Sequence, residues 1–159
     1  MPQASSAYLD IETSYQGHIT VVGVHRPGRP TRQLVAPDIE AGGLFDAIGE
    51  AEVIKTYNGS RFDLPVIRLQ LGVDLASLYR HEDLMFRCWR RGLKGGLKAV
   101  ERRLGILRAT AGVDGMEAMR LWQAWIAQGS REALERLLHY NREDVELLVE
   151  VEKRLAAHG

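Results

Sequence analysis

Apolar and polar positions alternate through Tyr8-Leu9-Asp10-Ile11-Glu12-Thr13, the period-two pattern of a β-strand. Side chains two residues apart in a strand point the same way, so Asp10 and Glu12 share one face. Past the turn at Gln16-Gly17, the β-branched run His18–Val24 predicts a second strand. Turn chemistry in Arg26-Pro27-Gly28-Arg29-Pro30 leads to a short third strand over Arg32–Ala36, which completes an antiparallel meander. Beyond Pro37 the period lengthens. Leu44, Phe45 and Ile48 mark one face of a short helix, Glu52–Tyr57 a fourth strand, and Leu64, Ile67 and Leu71 the stripe of a helix opened by Ser60–Pro65. Leu84-Met85-Phe86, after His81-Glu82-Asp83, predicts a fifth, short strand.

The second half is helical. Leu97, Val100 and Leu104 mark one helix, and Met116–Ala127 a second whose inner side carries Ala118, Leu121, Trp122 and Trp125. A long final helix runs from a Ser130 cap toward Ala156. On that last helix Leu137, Leu148, Val151 and Leu155 fall in a narrow sector around Asp144 at ~100° per residue, so an acid sits in the core-facing stripe. Tyr140, one turn earlier, lies on the same face. The order of elements is that of an α/β fold: a meander, then helices crossing between strands.

Composition adds bounds. The 159 residues predict a single domain over 1–159, and 45% hydrophobic with 26% charged residues exclude global disorder. Residues 1–6 lack the basic and apolar regions of a signal peptide, and no apolar run reaches membrane-spanning length, so the expected compartment is the cytoplasm and no membrane partner is expected. The single Cys88 offers neither an internal disulfide nor a thiolate metal site and is expected in the core. Basic and acidic residues balance at 21 each, which gives no global attraction to nucleic acid. The segment from Arg87 to Arg108 is nevertheless strongly cationic, with Glu101 its one acid, and such a patch can hold a phosphate backbone or be a solvated helix face.

The acids carry the chemistry. Asp10 and Glu12 on a strand and Asp144 within an apolar helical stripe break local patterning, as functional sites do. A solvated edge strand, or Asp144 paired with Arg, is the alternative. Asp63 read alone fits Ser60-x-x-Asp63, a capping box. Taken with the others, it starts a helix after the fourth strand and reaches the sheet edge where Asp10 and Glu12 emerge. Four converging carboxylates repel unless cations intervene, and the lack of Cys or His ligands favours Mg²⁺ or Mn²⁺ over Zn²⁺. Two such ions ~3.5–4 Å apart can clamp a phosphodiester, one activating water and the other stabilising the leaving oxygen. Tyr140, with an ordinary pKa of ~10, suits orienting the attacking water rather than deprotonating it.

Asp10-Ile11-Glu12, Asn58-Gly59-Ser60-Arg61-Phe62-Asp63-Leu64-Pro65 and Tyr140-x-x-x-Asp144 resemble, in order, the three exonuclease motifs of the DEDD superfamily on the ribonuclease H-like fold. The Tyr four residues before the last Asp resembles the DEDDy subtype. His81-x-Asp83-Leu84, Leu97-Lys98-x-Val100-Glu101 and the approach to the final helices through Gly115 look most like the YprB-like predicted exonucleases, over about residues 7 to 151. The resemblance implies a mixed five-stranded sheet, a three-strand antiparallel meander plus two parallel strands, flanked by helices. It implies a 3′→5′ exonuclease acting on a DNA or RNA 3′ end with two Mg²⁺ or Mn²⁺ ions. Asp10, Glu12, Asp63 and Asp144 would hold metal, Asp10 bridging both ions, and Tyr140 would hold the nucleophile. Asn58, Arg91, Lys94 and Lys98 are candidate substrate contacts, while Asp83 and Asp114 read as solvated loop acids. A non-catalytic binding module and a structure-selective endonuclease on the same fold are the competing readings.

Overall fold

The structure is a computed structural model that describes residues 2–158. Five strands, β1 (Ser6–Thr13), β2 (Ile19–His25), β3 (Arg32–Val35), β4 (Val53–Thr56) and β5 (Arg80–Asp83), form one sheet in the order β3-β2-β1-β4-β5. β1, β2 and β3 pair antiparallel, and β1, β4 and β5 pair parallel. This is the mixed sheet expected from the sequence.

Helices cover both faces. On one side, α1 (Ala41–Ile48), α2 (Asp63–Leu71) and α3 (Leu75–Leu78) pack Leu44, Ile48, Leu64, Ile67 and Leu75 against Leu9, Ile11, Val22, Val24 and Ile54. On the other lie α4 (Leu84–Arg90), α5 (Leu97–Arg103), α6 (Gly115–Gln128) and α7 (Arg131–Ala157). There α6 and α7 close over Val21 with Leu121, Trp122 and Leu137, and the C-terminal half of α7 buries Val151 and Leu155 against Cys88 and Val100. Period two sorts β1 between these layers: Leu9 and Ile11 enter the first core, while Tyr8, Asp10 and Glu12 face α7. Ser130 caps α7 by accepting from the Ala133 amide at 3.2 Å. The whole stripe around Asp144 is buried, as its helical spacing predicts.

Two expectations fail locally. The fifth strand is Arg80–Asp83, and Leu84–Arg90 is helix α4. A three-residue apolar run shows no period, and what decides it is Asp83, whose carboxylate accepts from the Met85 amide at 3.1 Å and caps a helix there. The capping box at Ser60-x-x-Asp63 is absent as well. Ser60 Oγ donates instead to Asp83 at 2.5 Å, and Phe62 rather than Ser60 precedes the helix without a side-chain cap.

Candidate active site

The site forms where β1 ends beside the carboxyl end of the parallel strand β4, the edge at which open α/β sheets place their ligands. Asp10 and Glu12 project from β1 toward α7, and Asp144 projects back. Each contributes a carboxylate oxygen to a set lying within 4.8 Å of one another. Asp63, in the first turn of α2, is held beside them, because its Oδ2 accepts from the Ile11 amide, between the two β1 acids, at 2.9 Å. All four acids of the sequence reading thus meet at one edge, with Asp63 outside the tightest trio.

The backbone makes room for this. Asp10 pairs with Gly23 across β1 and β2, and a Cβ on Gly23 would stand 2.3 Å from Asn141 Oδ1. Asn141, fully buried on α7, uses that space to donate to both the main-chain oxygen and Oδ2 of Asp10 at 3.2 Å. Gln33 donates to Asn141 Oδ1 at 3.0 Å, which fixes the amide's orientation. Asn141 was not singled out in the sequence. Its signal was its place three residues before Asp144, on the same helical face.

Asp144 has two cationic partners. Lys98 Nζ donates to Asp144 Oδ1 at 3.2 Å and to the Tyr140 hydroxyl at 2.5 Å. Arg108 NH2 donates to the same Asp144 oxygen, while its Nε holds Glu101 at 2.7 and 3.0 Å. The Arg108 side chain is only 8% exposed, and its remaining nitrogen NH1 is buried without a partner. Arg108 was visible in the sequence only as one charge in a basic segment. Nothing there indicated that the irregular loop after α5 turns it inward.

Burial and mutual repulsion shape the titration of the acids. At an effective dielectric of ~20, each ionised pair 4.8 Å apart costs about 3 kcal/mol. Burial, then the charges of Asp144 and Glu12, hold the Asp10 carboxyl well above the usual range. Glu12 is pushed up to about 8 by burial and Asp144, against a lowering hydrogen bond from Asp10. Asp63 rises to about 7 through burial, partly offset by the Ile11 amide. Burial and the nearby acids also raise the Tyr140 hydroxyl, so it is neutral and a hydrogen-bonding group rather than a base. Because Lys98 donates to the Tyr140 oxygen, the hydroxyl hydrogen is left to donate elsewhere.

The donor set fits a hard divalent cation: the clustered atoms are all carboxylate oxygens, and among the described residues Lys98 and Arg108 are the only cations that form ion pairs with Asp10, Glu12, Asp63, Asp144 or Glu101. The predicted substrate residues divide. Lys98 is in the site itself. Lys94 is exposed, its Nζ 5.3 Å from the Trp89 ring centroid. Asn58, at φ 64°, lies just past β4 with its main-chain amide bonded to Asp83 at 2.8 Å and its side-chain oxygen buried without a partner among the described residues. Arg91 lies elsewhere: its guanidinium donates to the main-chain oxygens of Leu155 and His158 and caps α7. Asp83 is no solvated acid, since it accepts from the amides of Asn58, Ser60 and Met85 and pins the loop leading to Asp63. Asp114 likewise has a structural place, capping α6 through the Glu117 amide at 2.8 Å.

A mixed sheet of this order between helical layers, with acids meeting at the end of its first strand, defines the ribonuclease H-like class of fold. A sequence model of the RNase_H superfamily matches residues 7–156, and the chain belongs to that superfamily. No curated protein matches it in sequence. Among solved structures, the family B DNA polymerase from the hyperthermophilic archaeon Pyrobaculum calidifontis is similar with a TM-score of 0.73 at 15% identity, a likeness of fold. That similarity covers 98% of this chain but 25% of the polymerase chain, so the chain spans a quarter of that protein's length. No helix among the described residues is long and apolar enough to cross a membrane.

Proposed function

We propose that this chain is a 3′→5′ exonuclease domain of the DEDDy type, similar to the YprB-like group, and that it trims single-stranded nucleic acid. The observation that carries the reading is the meeting of Asp10, Glu12 and Asp144 oxygens within 4.8 Å, with Asp63 and the Tyr140 hydroxyl beside them. Asp10, Glu12, Asp63 and Asp144 would hold two Mg²⁺ or Mn²⁺ ions, which supply charge neutralisation and water activation when bound. The chain's own groups do the rest. Tyr140, fixed through its oxygen by Lys98, offers its hydroxyl hydrogen to position the attacking water. Asn141 holds the Asp10 carboxylate in one orientation. The Asn58–Ser60 loop, pinned by Asp83, faces the substrate end.

The test uses 5′-labelled and 3′-labelled single strands with Mg²⁺ or Mn²⁺, with EDTA, and with the Asp144→Ala protein. A 5′-labelled ladder that shortens stepwise, and vanishes with EDTA or the substitution, is expected. Activity that survives Asp144→Ala, or none with either metal, refutes the reading.

One observation favours a second reading. Lys98 and Arg108 both sit on Asp144 Oδ1, so two protein cations already occupy part of the space a metal would fill. In a non-catalytic binding module they would replace the ions altogether. Calorimetry decides between the two: Mn²⁺ binding in the millimolar range or tighter supports the enzyme, and its absence supports the module.

A further inference from the structure

At the opposite end of β1 from its acids, a cavity of about 600 Å³ opens between the start of that strand, the β2–β3 turn and the last turns of α7. Its floor is a closed network. Lys55, 7% exposed, donates to Glu152 at 2.6 and 2.8 Å, Arg87 donates to the same carboxylate at 2.8 Å, and the Tyr8 hydroxyl completes it. With Glu82 also within 3.7 Å of Lys55, this network balances its own charge.

The rim does not. Arg26, Arg29 and Lys153 line the same cavity, and among the described residues none of the three has a carboxylate partner. Two of them are placed by the backbone. The Arg29 amide donates to the Arg26 carbonyl at 3.0 Å, and Gly28 at φ 82° completes the tight turn that brings both arginines to one mouth. Arg26 is half-buried and lies over Gly49 at the C-terminus of α1, where a Cβ would come 2.3 Å from its NH1. Like charges lining one cavity without carboxylate partners carry an electrostatic cost that an anion among them relieves.

We propose that this cavity is a second, anion-binding site that takes a phosphate-bearing nucleotide. Guanidinium forks match phosphate oxygens bidentately, and Lys153 adds a point charge. Pro27, Val149 and Ala156 supply apolar wall for the nucleoside. The volume lies within the range of small-molecule sites and exceeds what inorganic phosphate alone would fill. The site is distinct from the carboxylate cluster: Glu152 is eight residues beyond Asp144 on α7, about 12 Å along the helix. It does not depend on the chain being a nuclease.

The experiment is calorimetry on the whole chain in EDTA, which removes any metal-bridged binding at the acids. Inorganic phosphate, AMP, ATP and short oligonucleotides with a 5′-phosphate or a 5′-hydroxyl are titrated separately. Nucleotide binding that weakens about tenfold or more in Arg26→Ala/Lys153→Ala protein, and is unchanged by Asp144→Ala, is expected. Binding of AMP or ATP identifies a free nucleotide as the ligand, and binding of the 5′-phosphorylated oligonucleotide alone identifies a strand end; either supports the site. Lys153 is exposed and Arg26 half-buried, and the thermal midpoint of the double variant checks that it folds. Absence of binding at millimolar concentration, inorganic phosphate binding as well as any nucleotide, or affinity indifferent to the two substitutions overturns the proposal.

Discussion

Replacing Glu12 by Gln should stabilise the metal-free protein while abolishing what the site is for. Glu12 is 8% exposed, and its carboxyl titrates at about 8 in the fold against an ordinary 4.5. Between these values the folded chain holds a proton that the unfolded chain releases, so stability is full below the lower value and falls as pH rises through the upper one. At about pH 7 the gap from 4.5 is about 2.5 pH units, which at 1.36 kcal/mol each is about 3 kcal/mol of lost stability. Glu12→Gln removes that loss. If its amide is imperfectly matched by its neighbours, about 1 kcal/mol returns, leaving a net gain of about 2 kcal/mol. For a domain of this size that is about 4–8 °C in thermal midpoint. Thermal unfolding followed by circular dichroism in EDTA should show the variant ahead at neutral and mildly alkaline pH, with the difference closing toward pH ~4.5. In millimolar Mn²⁺ the order should reverse, since only the parent gains from binding. A variant less stable than the parent in EDTA at neutral pH would refute the account of the repulsive cluster.

Gly23→Ala places a Cβ 2.3 Å from Asn141 Oδ1, so it should cost about 1–3 kcal/mol and weaken Mn²⁺ binding as Asn141 releases Asp10; a raised thermal midpoint would contradict this. Arg108→Met leaves Glu101 buried at 1% exposure without its partner and should cost about 3–5 kcal/mol, most of it recovered by adding Glu101→Gln; urea unfolding of the four proteins in that cycle measures the coupling. Asp83→Ala removes the cap of α4 and the acceptor for the Asn58 and Ser60 amides, so it should cost about 1–2 kcal/mol and raise the substrate KM more than it lowers kcat, read from steady-state hydrolysis.

The parts of this architecture that follow a period were legible in the sequence. Asp10 and Glu12 announce a shared face because strands alternate, and Asp144 announces burial because a 27-residue helix repeats its stripe many times over. The misreadings fall where no period operates. Leu84–Phe86 is too short to separate strand from helix, and the deciding group was the capping carboxylate of Asp83 just before it. Ser60 and Asp63 stand at capping-box spacing, but each found a better partner far along the chain, in Asp83 and the Ile11 amide. Charge counts predicted a cationic face from Arg87 to Arg108, yet sign alone does not say where a side chain ends. Arg91 turns to the carbonyls closing α7, Lys98 to Tyr140 and Arg108 to Asp144. Those destinations depend on loops whose path is set by tertiary packing.

The distribution of countercharge around the acids is the most informative feature of the site. Both protein cations gather on one oxygen of Asp144, the acid contributed by the helix. On the strand side, Asp10 accepts a neutral amide from Asn141, and the Asp10 and Glu12 carboxyls are held well above their usual range. A fold selected for stability alone would spread its cations or replace the strand acids with apolar residues, since β1 runs through the middle of the sheet and its other face is already core. Instead the chain fixes Asp144 in place with Lys98 and Arg108, while at Glu12 the attraction of Lys98 is outweighed by burial and the Asp144 charge. That asymmetry makes the β1 acids, beside Asp63 and the Tyr140 hydroxyl, the groups that positive charge from outside the chain has the most to stabilise.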